Sequence, residues 1–236
     1  MEDATFEKII NDLRFGDGDA LQAIKKLEEI ANESHLPQLQ RLLQDDDFFI
    51  RETAAGPYAQ LMGVKALPLL LQAQIQGQAD GHDNDGLDAV ITELVEAHKT
   101  GVTSTLLEML KNENSKTRAQ AAWLLGFVAS EINPTPLLEA LHDASPEVRT
   151  EAVGALSSFA GQPNVFEALL DALNDQDEQV RVSIVNALGY LGDKRALTAL
   201  QTGLQDSSER VRRMAAKAIN QLKKPGKKSI WRRFWG

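Results

Sequence analysis

Apolar side chains return along this chain at fixed distances from an arginine. In DQDEQVRVSIVNALGYLG, residues 175–192, Ile184, Val185 and Leu188 stand three, four and seven positions after Arg181. At about 100° per residue these offsets share one side of a helix. Asp175 stands six positions before the arginine. The layout recurs around Arg51, Arg118, Arg149 and Arg212, where the residue six positions earlier is Asp45, Asn112, Asp143 or Asp206. From Arg118 onward the arginines lie 31, 32 and 31 residues apart. Each copy predicts an amphipathic helix opening just after an acidic turn, and a repeat of this length predicts an α-solenoid of stacked helix pairs.

The other segments fall into the same register. Residues 2–14 and 17–31 form a first pair broken at Gly16-Asp17-Gly18, with Ala23, Ile24 and Leu27 at the core offsets. Arg14 stands where later copies carry Asp, a departure suited to an end repeat. Residues 36–44, with Pro37 near the start, and 51–62 form the next pair. Pro57 inside the second of these predicts a kink or a shortened helix. Residues 66–76 open the third pair. The period then stretches to 36 between Arg51 and Leu87, which predicts an inserted loop within QGQADGHDNDGLDAV. Here Leu87 replaces the arginine and Gly81 the aspartate, while Val90, Ile91 and Leu94 keep the core face. Later first helices span 102–111, 134–142, 163–174 and 195–205, and the second ones follow Arg118, Arg149, Arg181 and Arg212. The fold class is therefore all-α, with about seven helix pairs in one continuous domain, 1–222, followed by a basic aromatic tail, 223–236. Small residues at adjacent core offsets, such as Ala54-Ala55, Ala121-Ala122 and Ala215-Ala216, allow close helix approach.

Composition narrows the chemistry. The chain has no cysteine, which excludes disulfides, thiolate metal sites and a cysteine nucleophile. Neither a nucleophile elbow, a P-loop nor an H-E-x-x-H motif occurs, and His35, His82, His98 and His142 are scattered, so no catalytic residue is assigned. The net charge is −9, and taking away the six basic residues of 223–236 leaves −15 on residues 1–222. A body so acidic repels phosphate backbones and speaks against nucleic acid as a partner. The acidic N-terminus and the short apolar runs predict a cytoplasmic protein.

The pattern D-x-x-x-x-V-R-x-x-A-A-x-x-L-G, clearest in residues 175–189 and 143–157, resembles the bacterial HEAT repeat. More narrowly, it is similar to the HEAT-like repeats of phycobilisome-lyase type proteins. The resemblance covers nearly the whole chain up to the tail and is specific for architecture. It implies a non-catalytic adaptor or assembly factor that binds a protein on a concave face formed by the second helices. The alternative is a bilin lyase or a factor in phycobiliprotein assembly or degradation, with bilin as the only cofactor in view. Such a lyase needs no nucleophile of its own, because the reacting cysteine belongs to its protein substrate.

Three groups of residues bear on function. The acidic and arginine positions, Asp45, Arg51, Arg118, Asp143, Arg149, Asp175, Arg181, Asp206 and Arg212, are spaced for a structural ladder, each arginine reaching a carboxylate in its own turn or in the next repeat. Offsets five and nine lie opposite the core and bring Trp123, Phe127, Asn186 and Tyr190 onto the expected binding face, where the aromatics either anchor a partner or pack on neighbouring helices. In the tail, Lys227, Lys228, Trp231, Arg232, Arg233, Phe234 and Trp235 suit an anionic membrane surface, a partner groove or a cap on the last repeat. His82, Asp83 and Asp85 are weak metal candidates without the spacing of a calcium loop; a helix start or a partner-contact loop explains them as well.

Overall fold

The computed structural model describes residues 2–15, 20–82 and 84–223. Every regular element among them is helical, an α-solenoid of helix pairs. The described residues divide into two compact units, with the boundary between Val102 and Thr103. In the first, α1 (Glu2–Phe15) packs on α2 (Ala20–Ile30), α3 (Leu36–Leu42) on α4 (Phe48–Met62), and α5 (Leu67–Asp80) on α6 (Asp85–Ala97). α7 (Lys99–Met109) contains residues of both units. The second unit continues with α8 (Ser115–Leu125), then α9 (Thr135–Ala140) on α10 (Pro146–Leu156), α11 (Pro163–Asp171) on α12 (Glu178–Leu191), and α13 (Ala196–Gly203) on α14 (Glu209–Lys223).

The second helices begin three residues before the repeat arginine, one turn earlier than the apolar periodicity alone suggests. The reason is a cap four residues before the arginine. Asp47, Asn114 and Asp177 accept the backbone N–H two residues on at 2.8–2.9 Å, and the Ser208 hydroxyl accepts that of Arg210 at 3.1 Å. Ser145 makes no such bond, but Pro146 supplies a pre-set φ at the first helical position. These short polar residues satisfy donors that the helix itself leaves open.

The offsets three, four and seven form the core. Ala121, Ala122 and Leu125 on α8, Ala152, Val153 and Leu156 on α10, and Ile184, Val185 and Leu188 on α12 are all fully buried. Within residues 103–223 the second helices stand side by side in the order α8, α10, α12, α14. Glycine sets their closest approach. A Cβ on Gly126 would lie 3.1 Å from the Ala155 Cα, and one on Gly189 would lie 2.9 Å from the Ala218 Cβ.

Of the two outcomes expected at Pro57, shortening does not occur: α4 runs on to Met62, the end that the periodicity predicts. Pro57 is buried, as are Ala54, Ala55 and Tyr58 on the same helix, and burial of its ring works against the roughly 3 kcal/mol that an interior proline costs. The inserted residues after Gln76 are not mainly loop either. Gly77, Gln78, Ala79 and Asp80 extend α5 by another turn, and the helix ends at Gly81 with φ +84°, where His82 N–H bonds back to Gly77 O at 2.9 Å. The turn that follows is anchored from inside. Asn84 is buried at φ +57°, and its amide donates to Gln74 O at 3.1 Å, while the Gln74 amide donates to the Asp88 carboxylate. A side chain at Gly77 would overlap Asn84.

Candidate functional site

Arg118, Arg149 and Arg181 each use the guanidinium in two directions. One nitrogen folds back on its own turn: Arg149 Nη1 donates to Asp143 O at 2.9 Å and Ala144 O at 3.3 Å. The other two fork onto the carboxylate of the following repeat, with Arg149 Nε and Nη2 each 2.7 Å from Asp175. Arg118 grips Asp143 in the same way at 2.8 and 2.9 Å, and Arg181 grips Asp206 at 2.8 and 3.1 Å. Arg212 holds its own turn through Asp206 O and Ser207 O. Each aspartate also accepts the N–H of the capping residue two positions on, at 2.8 Å in Ser145, Asp177 and Ser208. The ladder thus ties the cap of one second helix to the side chain of the previous one.

In residues 1–102 the ladder runs differently. Arg51, fully buried, bonds Asp45 O and Asp46 O and then reaches Asp80 at 3.3 Å, the last residue of α5, because Gly81 holds the usual aspartate position. Arg14 ion-pairs with Asp45. It extends the ladder from the position where other copies carry the aspartate. A basic residue at that position one repeat before Asp45 was the available signal, and reading it only as an end-repeat departure missed the pairing. The caps four residues before each arginine were also legible as Asp47, Asn114, Ser145, Asp177 and Ser208.

The carboxylates carry a pH signature. The Arg118 fork, helped by the Ser145 N–H, holds Asp143 below the usual carboxylate range. Burial pushes Asp175 up, but the Arg149 fork and the Asp177 N–H outweigh it and its pKa is lowered. Asp206 is lowered by the Arg181 fork and the Ser208 N–H. A carboxylate with a depressed folded-state pKa stabilises the fold above its unfolded value, about 3.9, and loses that contribution as pH falls through the folded value. The melting temperature should therefore fall as the pH drops below about 4, and the fall should be smaller in Asp175→Asn, which has lost one of the titrating groups.

The opposite face of the second helices meets solvent. At offsets five and nine, Gly154, Ser158, Asn186 and Lys217 are exposed, and Trp123, Phe127, Tyr190 and Gln221 are half-buried. Trp123 and Phe127 make an edge-to-face pair with ring centroids 5.2 Å apart, Phe127 lying just past the end of α8. Asn186 and Tyr190 are one turn apart on α12, two helices away from Trp123 in the side-by-side order. The structure therefore brings the four residues onto one face as two separate pairs. At the edge of the repeats a cavity of about 250 Å³ opens among Phe159, Pro163, Phe166, Leu191 and Arg195. Arg195 lies 4.3 Å over the Phe166 ring and is held there by Asp193 and Glu167, so it forms one wall.

The weak metal candidates do not converge. His82 stacks on Phe48 with centroids 4.4 Å apart, Asp85 opens α6, and Asp83 lies outside the described residues. Among the described residues no three His, Asp or Glu side chains are grouped to hold a metal ion. The tail positions Lys227, Lys228, Trp231, Arg232, Arg233, Phe234 and Trp235 also lie outside the described residues. Among the described residues, no helix is long and apolar enough to cross a membrane.

The family model for HEAT repeats matches residues 75–157, 103–181 and 166–230, more than half of the chain. The chain belongs to the HEAT-repeat family. The chain is also similar to several solved structures. An engineered protein aligns at 19% identity over 94% of this chain and 92% of its own, with a TM-score of 0.48. Human deoxyhypusine hydroxylase in complex with glycerol aligns at 16% identity over 94% and 97%, TM-score 0.45. A designed armadillo repeat protein in complex with a (KR)4 peptide aligns at 21% identity over 92% and 98%, TM-score 0.46. Among curated proteins none matches this HEAT chain.

Proposed function

We propose that this HEAT-repeat protein is a non-catalytic adaptor or assembly factor, and that it binds a protein partner on the second-helix face of residues 103–223. The observation that carries the reading is the placement of Trp123 and Phe127. Both rings stay half-exposed on the side away from the core, although the core offsets of the same helix, Ala121, Ala122 and Leu125, are already fully buried. Aromatic surface left beside a complete core is the usual material of an interaction anchor. Tyr190 and Asn186, two helices further along, extend the same face, so a bound segment would cross the helices rather than follow one. The basic aromatic residues of 223–236 serve as a second, peripheral contact to partner or anionic membrane in this proposal.

The test is Trp123→Ala. Partner proteins retained from native lysate by the immobilised wild type should bind the variant more weakly by over about 1 kcal/mol, roughly fivefold or more, with the melting temperature almost unchanged. A large fall in melting temperature with unchanged retention would make Trp123 a packing residue and overturn the proposal.

A further inference from the structure

The face around Trp123 also contains two carboxylates that the ladder does not use. Glu147 and Glu151 are one turn apart on α10; Glu147 is exposed and Glu151 is half-buried. Neither belongs to any ion pair or hydrogen bond among the described residues. Every ladder carboxylate in 103–223 has its arginine, so an unpaired carboxylate half out of water stands apart. Lys116 shares the face from α8 but forms no ion pair with either glutamate, and Arg118 is committed to Asp143.

α8 and α10 approach where Gly126 meets Ala155. Counting back one turn from that contact at about 100° per residue places Trp123 on the flank of α8 toward α10 and Glu151 on the flank of α10 toward α8. Gly154, on the next turn of α10, is exposed, with nothing within 4 Å of where its Cβ would be. The helical angles therefore bring an aromatic ring, the Glu151 carboxylate and the open position at Gly154 onto adjoining flanks, with Glu147 one turn further along α10.

We propose, on the basis of the face assigned above, that Trp123, Glu147 and Glu151 form a subsite for a Lys or Arg side chain on an extended basic segment of the protein partner. The indole supplies a π face to the cation and the carboxylates supply the opposing charge; both attractions strengthen where water is partly excluded. Open space at Gly154 lets the partner backbone approach α10. The electrostatics agree: burial, and then the neighbouring Glu147, hold the Glu151 carboxyl above the usual carboxylate range. A bound cation relieves both effects, which is the arrangement expected of a carboxylate waiting for a counter-charge.

A fluorescein-labelled octapeptide of alternating Lys and Ser, titrated into the full-length protein and followed by anisotropy, tests the subsite. It should bind, and a Glu-Ser octapeptide should not. Glu151→Gln should weaken binding about tenfold and Trp123→Leu several-fold, whereas Glu139→Gln, a carboxylate exposed on α9, should leave it unchanged. No binding to the wild type, or equal losses in Glu151→Gln and Glu139→Gln, would overturn the subsite, the second outcome reducing it to diffuse charge. If truncation after Lys223 tightened peptide binding tenfold, the chain's own basic residues would be the occupant and the partner assignment would fail. The two proposals fail separately: should Trp123→Ala abolish retention of native partners while Glu151→Gln leaves retention intact, the face stands and the cation subsite falls.

Discussion

Replacing Arg149 by alanine is expected to lower the melting temperature by about 6 to 12 °C, the equivalent of about 3 kcal/mol in a chain of this size. Arg149 is 5% exposed and holds four bonds: two to the carbonyls of its own turn and two to Asp175 in the next repeat. Alanine leaves the Asp175 carboxylate, itself only 12% exposed, with the Asp177 N–H alone, and strips both carbonyls of their donor. Removing one partner of a buried pair costs more than the pair contributes net, because the remaining charge keeps its desolvation penalty. Arg149→Lys should recover less than half of the loss, since an ammonium cannot fork onto a carboxylate and reach backward to two carbonyls at once. Hydrogen exchange should localise the weakening to α10 and α12. A melting temperature within 2 °C of wild type would show that the ladder is ornamental to stability. Binding through Trp123 should survive wherever the fold does, because the ladder lies among the caps and not on the solvent face.

The second large effect is expected at Gly189, where α12 meets α14. Gly189→Leu should cost about 3 kcal/mol, because even its first carbon would lie 2.9 Å from the Ala218 Cβ and 3.3 Å from its Cα. Relief has to come from moving a helix rather than a flexible side-chain end, which makes the loss large. Gly154 on α10 is the internal comparison. Nothing lies within 4 Å of a Cβ built there, so Gly154→Ala should stabilise the protein by about 0.5–1 kcal/mol through helix propensity. Chemical denaturation of the two variants gives opposite signs if helix spacing is set at Gly189. A neutral Gly189→Leu would mean that the second helices can slide apart at little cost.

Much of this architecture was legible because its determinants are local. The offsets that bury Ile184, Val185 and Leu188 follow from 3.6 residues per turn, and an alignment of one repeat on the next repeats them without reference to any distant residue. The helix starts were equally present in the caps Asp47, Asn114 and Asp177, a signal as local as the periodicity but carried by polar residues. The extra turn of α5 escaped the reading because a run of Gln, Ala and Asp beside glycines resembles a loop in composition. Its helicity depends on packing against α6 and on Asn84 being buried beneath it.

The sequence by itself determined which residues face the core, how long the repeat is, and that acidic and arginine positions recur in step. Those are properties of one chain segment and its helical period. Only the tertiary structure decided that each arginine from Arg118 to Arg181 reaches forward to the following repeat, that Arg14 pairs with Asp45, and that neighbouring second helices meet at Gly126 with Ala155 and at Gly189 with Ala218. These depend on how far one helix is rotated and shifted against the next, which small residues at Gly126, Ala155, Gly189 and Ala218 fix by steric contact. A periodic pattern specifies the angle of a side chain around its own helix; the identity of its partner is set by the contact between two helices.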